Sequence, residues 1–147
     1  MTNTTNNQEK KFFDLHTMGI GYLNRARKVS PTQGDPYLSV SIAALHGNAD
    51  SPSYSYFDTR IVGSDAIEFV REHKDAINDR DHKVLVRFKV GDGVASSYEV
   101  KSGDNAGNRN HLIKSRLLQI SWAKIDDEVV LNLSQPAEDQ QEGQKAA

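Results

Sequence analysis

The chain has no cysteine among its 147 residues, which excludes disulfide bonds and thiolate metal sites. Long apolar runs are missing as well, and the mean hydropathy is −0.63, so no segment has the composition of a transmembrane helix. The first residues lack the apolar stretch of a secretory signal peptide. From these absences we expect a soluble, cytoplasmic protein that makes no use of a membrane.

Residue patterns typical of enzymes are also missing. The five histidines are scattered, and none stands at metal-ligand spacing from another. The sequence contains no phosphate-loop lysine motif and no nucleophile elbow, and the Gly19-Ile20-Gly21 segment lacks the third glycine of a dinucleotide fingerprint. We therefore expect no catalysis, no cofactor and no metal.

Length and composition predict one domain with polar ends. Residues 1–11 and 134–147 are almost free of large apolar side chains, and such segments bury too little surface to offset the entropy lost on ordering. We predict that both are disordered and that residues 12–133 form a single domain. That length is sufficient for one modest hydrophobic core.

Charge is unevenly distributed although the net charge is only −2. Residues 80–124 contain 9 Lys and Arg against 4 Asp and Glu, whereas residues 125–147 contain 1 against 6. A basic body followed by an acidic tail is a recurrent layout among nucleic-acid-binding proteins. An ordinary solvated surface is the simpler explanation of the same numbers.

Hydrophobic periodicity predicts a mainly β fold. Strands are expected at 15–29, 37–46, 54–62, 83–90, 95–100, 112–125 and 129–133. One amphipathic helix is expected at 65–78, between the third and fourth strands. Gly19 and Gly21 suggest that the first strand bends sharply, as barrel strands do. This order predicts an OB-fold barrel of five to six strands with one short helix closing an end.

Several segments carry a resemblance to known proteins. The segment YFDTRIVG at 56–63 resembles the strand of bacterial single-stranded DNA-binding proteins (SSBs) that carries a base-stacking tryptophan, and Tyr56 stands at the tryptophan's place. Residues 19–23 and 34–43 resemble the first two SSB strands. Most closely, residues 12–122 look like SSB-like replication proteins of integrative and conjugative elements, through FFDLH (12–16), GIGYLNR (19–25) and RLLQISW (116–122).

The resemblance implies sequence-tolerant binding of single-stranded DNA in replication or maintenance of a mobile element. It also implies a homo-oligomer, a dimer or a tetramer, and contacts with replication proteins of the element. The acidic tail here ends in Gln-Lys-Ala-Ala rather than in the phenylalanine tip through which SSBs recruit enzymes.

Aromatic and cationic side chains on strand faces supply the candidate site. Tyr54, Tyr56 and Arg60 alternate on one face of the third strand, where rings stack on bases and cations follow phosphates. The other candidates are cations and one tyrosine on further strands. The predicted nucleic-acid contacts are Tyr54, Tyr56, Arg60, Arg87, Lys89, Arg25, Arg27, Lys28, Tyr37, Lys114 and Arg116.

Each of these assignments has a plainer alternative. Tyrosine favours strands whatever its function, and Arg87 and Lys89 also suit an edge strand that avoids aggregation. Trp122 shares strand parity with Lys114 and Arg116, which would suit a binding groove, but its apolar neighbours favour burial in the core or at a subunit interface. The alternative function is an OB-fold adaptor that binds proteins without strong DNA binding. A nuclease is a more distant third, indicated only by the Asp58 and Arg60 pair.

Overall fold

The computed structural model describes residues 11–133. The predicted disordered segments therefore lie outside the described residues, apart from Lys11. Two short helices, α1 (Ser64–Glu72) and α2 (Lys74–Asn78), connect the third and fourth of six strands. The strands are β1 (His16–Val29), β2 (Tyr37–His46), β3 (Ser53–Ile61), β4 (Val84–Glu99), β5 (Arg109–Ile125) and β6 (Glu128–Asn132).

The strands form a closed barrel with one additional strand. Their order is β3-β2-β1-β4-β5-β6, and a parallel pairing of β3 with β5 closes the first five into a ring. Strand β6 extends β5 as an antiparallel hairpin. Consecutive strands β1, β2 and β3 pair antiparallel, and β4 returns beside β1. The predicted OB-type barrel, with its helical segment between the third and fourth strands, is confirmed.

The barrel interior is filled by the inward positions of the strands. Val40 and Ile42 of β2 are fully buried, and Phe57, Thr59 and Ile61 of β3 are buried as their alternation predicts. Apolar side chains of α1 and α2 join the same core cluster, so the helical segment covers part of the interior. Neither helix in the described part of the chain has the length or apolar character needed to cross a membrane.

Barrel closure depends on a close approach at the end of β3. The backbone N–H groups of Val62 and Gly63 both donate to the carbonyl oxygen of Leu117, at 3.0 and 3.2 Å. A Cβ on Gly63 would lie 2.1 Å from the carbonyl oxygen of Leu118. Glycine is therefore required here for space, since its φ of −76° is accessible to any residue.

Strand β4 differs from its prediction. The segment Gly91-Asp92-Gly93 was expected to end the strand, but β4 runs through it to Glu99. Asp92 and Gly93 have positive φ angles of 70° and 153°, and the register with β5 shifts between Gly91 and Val94. The glycines thus form a bulge within a continuous strand instead of a turn.

The helical segment is also divided where one helix was predicted. His73 (φ −110°, ψ 21°) separates α1 from α2, and its N–H donates to the carbonyl of Phe69. Two short helices therefore occupy the range predicted as one.

The predicted placement of Trp122 in the barrel core is wrong, whereas its placement at a subunit interface stays a prediction. Its position pairs with exposed Arg87 on the outer face, and the side chain is half-buried. The register of β5 against β4 skips Leu118 and again skips Ser121. Each of these two bulges reverses the strand parity once, so the buried core residues Leu117, Ile120 and Ala123 follow each other at three-residue spacing.

Candidate functional site

A surface groove of about 810 Å³ lies across the outer face of β1, β2 and β3. We call it the tyrosine groove, because Tyr22, Tyr54 and Tyr56 line it around the small side chain of Ala43. The loop between α2 and β4 forms its rim. The charged residues that line it are Arg25, Arg27, Asp79, Arg80, His82 and Lys83.

Strand register brings the aromatic side chains together. Ala43 pairs with Tyr22 on one side and with Tyr56 on the other, so the three residues form one row across the outer face. Tyr54 stacks on Tyr56, with ring centroids 6.3 Å apart and an interplanar angle of 24°. The side chains of Tyr54 and Tyr56 are 44% and 55% exposed. These rings are therefore accessible to a flat ligand.

Cationic groups also line the groove. The Lys83 ammonium lies 5.7 Å from the centroid of Tyr22. Arg25 occupies a bulge in β1, with a φ of +55° and a register shift between Asn24 and Arg27. A bulge commonly turns a side chain away from its regular strand position. Here it leaves the exposed Arg25 on the rim of the groove.

Asn78 secures the β1 bulge. Its side-chain oxygen accepts a hydrogen bond from the N–H of Ala26 at 2.7 Å, and its amide nitrogen donates to the carbonyl of Ala26 at 3.0 Å. The Arg27 guanidinium also donates to the carbonyl of Arg25, at 2.8 Å. Backbone groups that the bulge removes from the ladder therefore find side-chain partners.

An Asn78→Ala variant is expected to lose about 2 kcal/mol of unfolding free energy, because two hydrogen bonds to partly buried backbone groups disappear. Urea denaturation measures this loss. Asp75→Ala is the matched control, since Asp75 is an exposed residue of the same helix. Equal stability of the two variants would contradict the proposed role of Asn78.

The structure brings together only some of the residues predicted from the sequence. Tyr54, Tyr56, Arg25 and Arg27 line the tyrosine groove, but Arg27 is paired with Asp58 at 2.7 Å. Arg60 instead lies 4.4 Å above the ring of Tyr37. The remaining cations lie outside the residues that line the groove, namely Lys28, Arg60, Arg87, Lys89, Lys114 and Arg116.

The neighbours of two of these outlying cations, Arg116 and Arg87, are as follows. The Arg116 guanidinium donates to both carboxylate oxygens of Asp92, at 2.7 and 3.3 Å. This hydrogen bond is the main reason why the pKa of Asp92 is lowered. Arg87 pairs with Trp122 on the outer face of β4 and β5.

Sequence reasoning missed several groove residues, among them Tyr22, Arg80, His82 and Lys83. Tyr22 precedes the buried Leu23 in a regular stretch of β1, so strand alternation was a usable signal for its outward position. The other three lie at 80–83, in the loop before β4 or next to it. The spacing of residues in the sequence does not indicate which surface such a loop faces.

His82 fixes this loop to the turn between β5 and β6. The His82 Nδ1 lies 2.7 Å from one carboxylate oxygen of Asp126. The other carboxylate oxygen of Asp126 accepts a hydrogen bond from the backbone N–H of Lys83 at 3.1 Å. Asp79 lies 3.8 Å from the other ring nitrogen. The hydrogen bond to Asp126 raises the pKa of His82, and the same bond lowers the pKa of Asp126.

The His82 contact is expected to weaken with rising pH. A histidine whose folded pKa is raised stabilises the fold below its unfolded pKa of about 6.5, and the contribution is lost as pH rises through the folded value. At the acid end the contribution of Asp126 is lost as pH falls through its lowered pKa. An NMR titration of His82 should give a midpoint above about 6.5 that decreases in Asp126→Asn. The same midpoint in both proteins would show that the contact does not form in solution.

Comparison with known proteins gives a family but no function. No curated protein and no solved structure matches the chain. The SSB resemblance therefore stays a prediction. One family model, described as a protein of unknown function (DUF3577), matches residues 6–139, which is most of the chain. The chain belongs to the DUF3577 family.

Proposed function

We propose that this chain binds single-stranded DNA with little dependence on sequence and without catalysing a reaction. The observation that supports this most strongly is the tyrosine groove, in which accessible rings lie among Arg25, Arg80 and Lys83. Base stacking on aromatic rings tolerates any sequence, because every base has a π face. The cations neutralise phosphates and release counterions.

The groove suits single strands better than duplexes. Tyr56 and its stacked neighbour Tyr54 present ring surface on the outer face of β3. In a duplex the bases are stacked on each other and paired, so they are not available to protein rings. In a single strand they splay apart and stack on the tyrosines, while the backbone follows the basic rim.

The cellular role that we propose comes from the SSB resemblance. It supports a cytoplasmic protein that acts in replication or maintenance of a mobile element, beside the element's replication proteins. It also supports a homo-oligomer, a dimer or a tetramer. Strand β6 ends the strand order and is thus one edge at which two copies would meet.

Two observations favour the alternative function, an OB-fold adaptor that binds proteins. Arg60, Arg87 and Lys89 do not line the tyrosine groove, which weakens the expected positive track. The segment around the start of β1 also exposes Phe12 and Phe13, with exposed fractions of 76% and 105%. Exposed apolar side chains of this kind suit a protein-binding adaptor.

Titration with a fluorescent oligo-dT of about 30–40 nucleotides, long enough for more than one OB site, tests the proposal. We expect tight binding, much weaker binding of a matching duplex, and a strong salt dependence. If Arg25, Arg80 and Lys83 each neutralise one phosphate, the slope of log K against log salt is about −2. Absence of binding at low salt would overturn the proposal in favour of the adaptor.

A further inference from the structure

A second cavity, of about 410 Å³, adjoins the tyrosine groove. Tyr56 and Arg25 line both concavities. The far wall is the projecting end of the β4–β5 hairpin, which contributes Tyr98, Asn110 and His111. We call this second space the hairpin cavity.

The lining of the hairpin cavity differs from that of the groove. Asn24, Ser41 and Asp58 pair across β1, β2 and β3, so they form a polar row beside the row of Tyr22, Ala43 and Tyr56. All three polar residues line the cavity. A space with one aromatic ring and several hydrogen-bonding groups suits a planar polar ligand.

Tyr56 offers a ring face to this cavity. Tyr54, Tyr56 and Asp58 follow each other at two-residue spacing on the outer face of β3, and Tyr54 stacks on Tyr56. Tyr54 does not line the hairpin cavity, whereas Tyr56 and Asp58 both do, so the cavity lies on the Asp58 side of the Tyr56 ring. A base placed there continues the stack formed by the two tyrosines.

Asp58 determines which part of a nucleotide fits. One of its carboxylate oxygens accepts from Arg27 at 2.7 Å, and the side chain is 25% exposed. An ionised carboxylate only accepts hydrogen bonds and has about four acceptor positions, so capacity remains beyond the Arg27 contact. A phosphodiester has no hydrogen-bond donor for these positions, whereas the amino-bearing edge of a base does. A base is therefore favoured over the backbone in the hairpin cavity.

We propose that the hairpin cavity holds one nucleobase, stacked on Tyr56, and that Asp58 accepts hydrogen bonds from its amino-bearing edge. This inference rests on the proposed function and adds one selective position to an otherwise sequence-tolerant site. Guanine fits best, because its N1–H and exocyclic amino group are adjacent donors. Thymine fits worst, because its single N–H lies between two carbonyl oxygens that the carboxylate repels.

Short labelled oligonucleotides of about 10 nucleotides, within the range that one OB fold binds, test the proposal by fluorescence anisotropy. One is all thymidine, and the other carries a single central dG. We expect the wild-type protein to bind the dG oligonucleotide about five- to tenfold more tightly, at the lower end of the discrimination given by a base-edge contact. The Asp58→Asn variant is expected to lose this ratio.

The absolute affinity of each variant shows whether it has lost only the preference for dG or has lost DNA binding in general. Asp58→Asn releases Arg27 from its ion pair, so binding to the all-thymidine oligonucleotide should stay constant or tighten. Asp79→Asn is the matched control, because it removes a carboxylate from the tyrosine groove and leaves the hairpin cavity intact. Its dG preference should persist. Tyr98→Ala, at an exposed hairpin position, is a second variant in case Asp58→Asn does not fold. It should also reduce the preference for dG.

The outcomes distinguish this inference from the proposed function. Binding of both oligonucleotides with equal affinity by the wild-type protein would overturn the hairpin-cavity inference alone. So would a dG preference that survives in both Asp58→Asn and Tyr98→Ala. Failure of the wild-type protein to bind either oligonucleotide would overturn the proposed function, and this inference with it.

Discussion

A Tyr56→Ala variant is expected to bind single-stranded DNA about 10- to 100-fold more weakly than the wild-type protein. A base stacked on a protein ring contributes about 1–3 kcal/mol, and Tyr56 is the tyrosine that lines both the groove and the hairpin cavity. The fold should be unaffected, because the ring lies on the outer face and is 55% exposed. Anisotropy titration of labelled oligo-dT measures the change.

Two further variants show whether stacking is the cause. Tyr56→Phe keeps the ring and should retain most of the affinity. Tyr37→Ala removes a tyrosine that the sequence also predicts as a contact but that lies under Arg60, outside the groove lining. It should bind almost as well as the wild-type protein. Weak binding by Tyr37→Ala together with normal binding by Tyr56→Ala would place the DNA outside the groove, at the part of the outer face where Arg60 lies over Tyr37.

Replacing Gly63 with alanine is expected to cost about 3–5 kcal/mol of unfolding free energy, as large steric effects do. The added Cβ would meet the backbone of Leu118, with its carbonyl oxygen at 2.1 Å and its carbon at 2.9 Å. Backbone cannot move aside as a flexible side chain does. The methyl group would therefore separate the end of β3 from β5, where Val62 and Gly63 donate to Leu117.

A loss of that size is a large part of the about 5–15 kcal/mol that stabilises a typical domain. Urea denaturation followed by circular dichroism should show a much lower midpoint. Gly19→Ala is the control, because its Cβ would lie at an ordinary 3.4 Å from the Phe88 ring. Its midpoint should change little. Gly63→Ala as stable as Gly19→Ala would mean that the barrel does not close through this contact.

Regular alternation made much of the fold predictable. Strand β2 was predicted with its observed bounds, because turn formers precede it and its apolar residues alternate without interruption. The helical region was placed correctly through its apolar stripe. Errors arose at bulges, since the extra residue in β4 or β5 reverses alternation and a single sequence does not mark where this occurs. Trp122 was misplaced for that reason.

The sequence by itself determined the composition of the site. Outward-pointing tyrosines on β3 and a surplus of basic over acidic residues within 80–124 could be read from the sequence, and so could the absence of cysteine. Local rules suffice for this, because alternation along one strand decides which side chains point outward.

Only the tertiary structure decided which outward side chains meet. Register across β1, β2 and β3 places Tyr22 in the row of Tyr56, and the β1 bulge places Arg25 between the two concavities. Arg60 has the same strand parity as Tyr56 but lies over Tyr37 instead. Barrel curvature and pairing between distant segments set these neighbours, and neither is encoded in the spacing of residues along one strand.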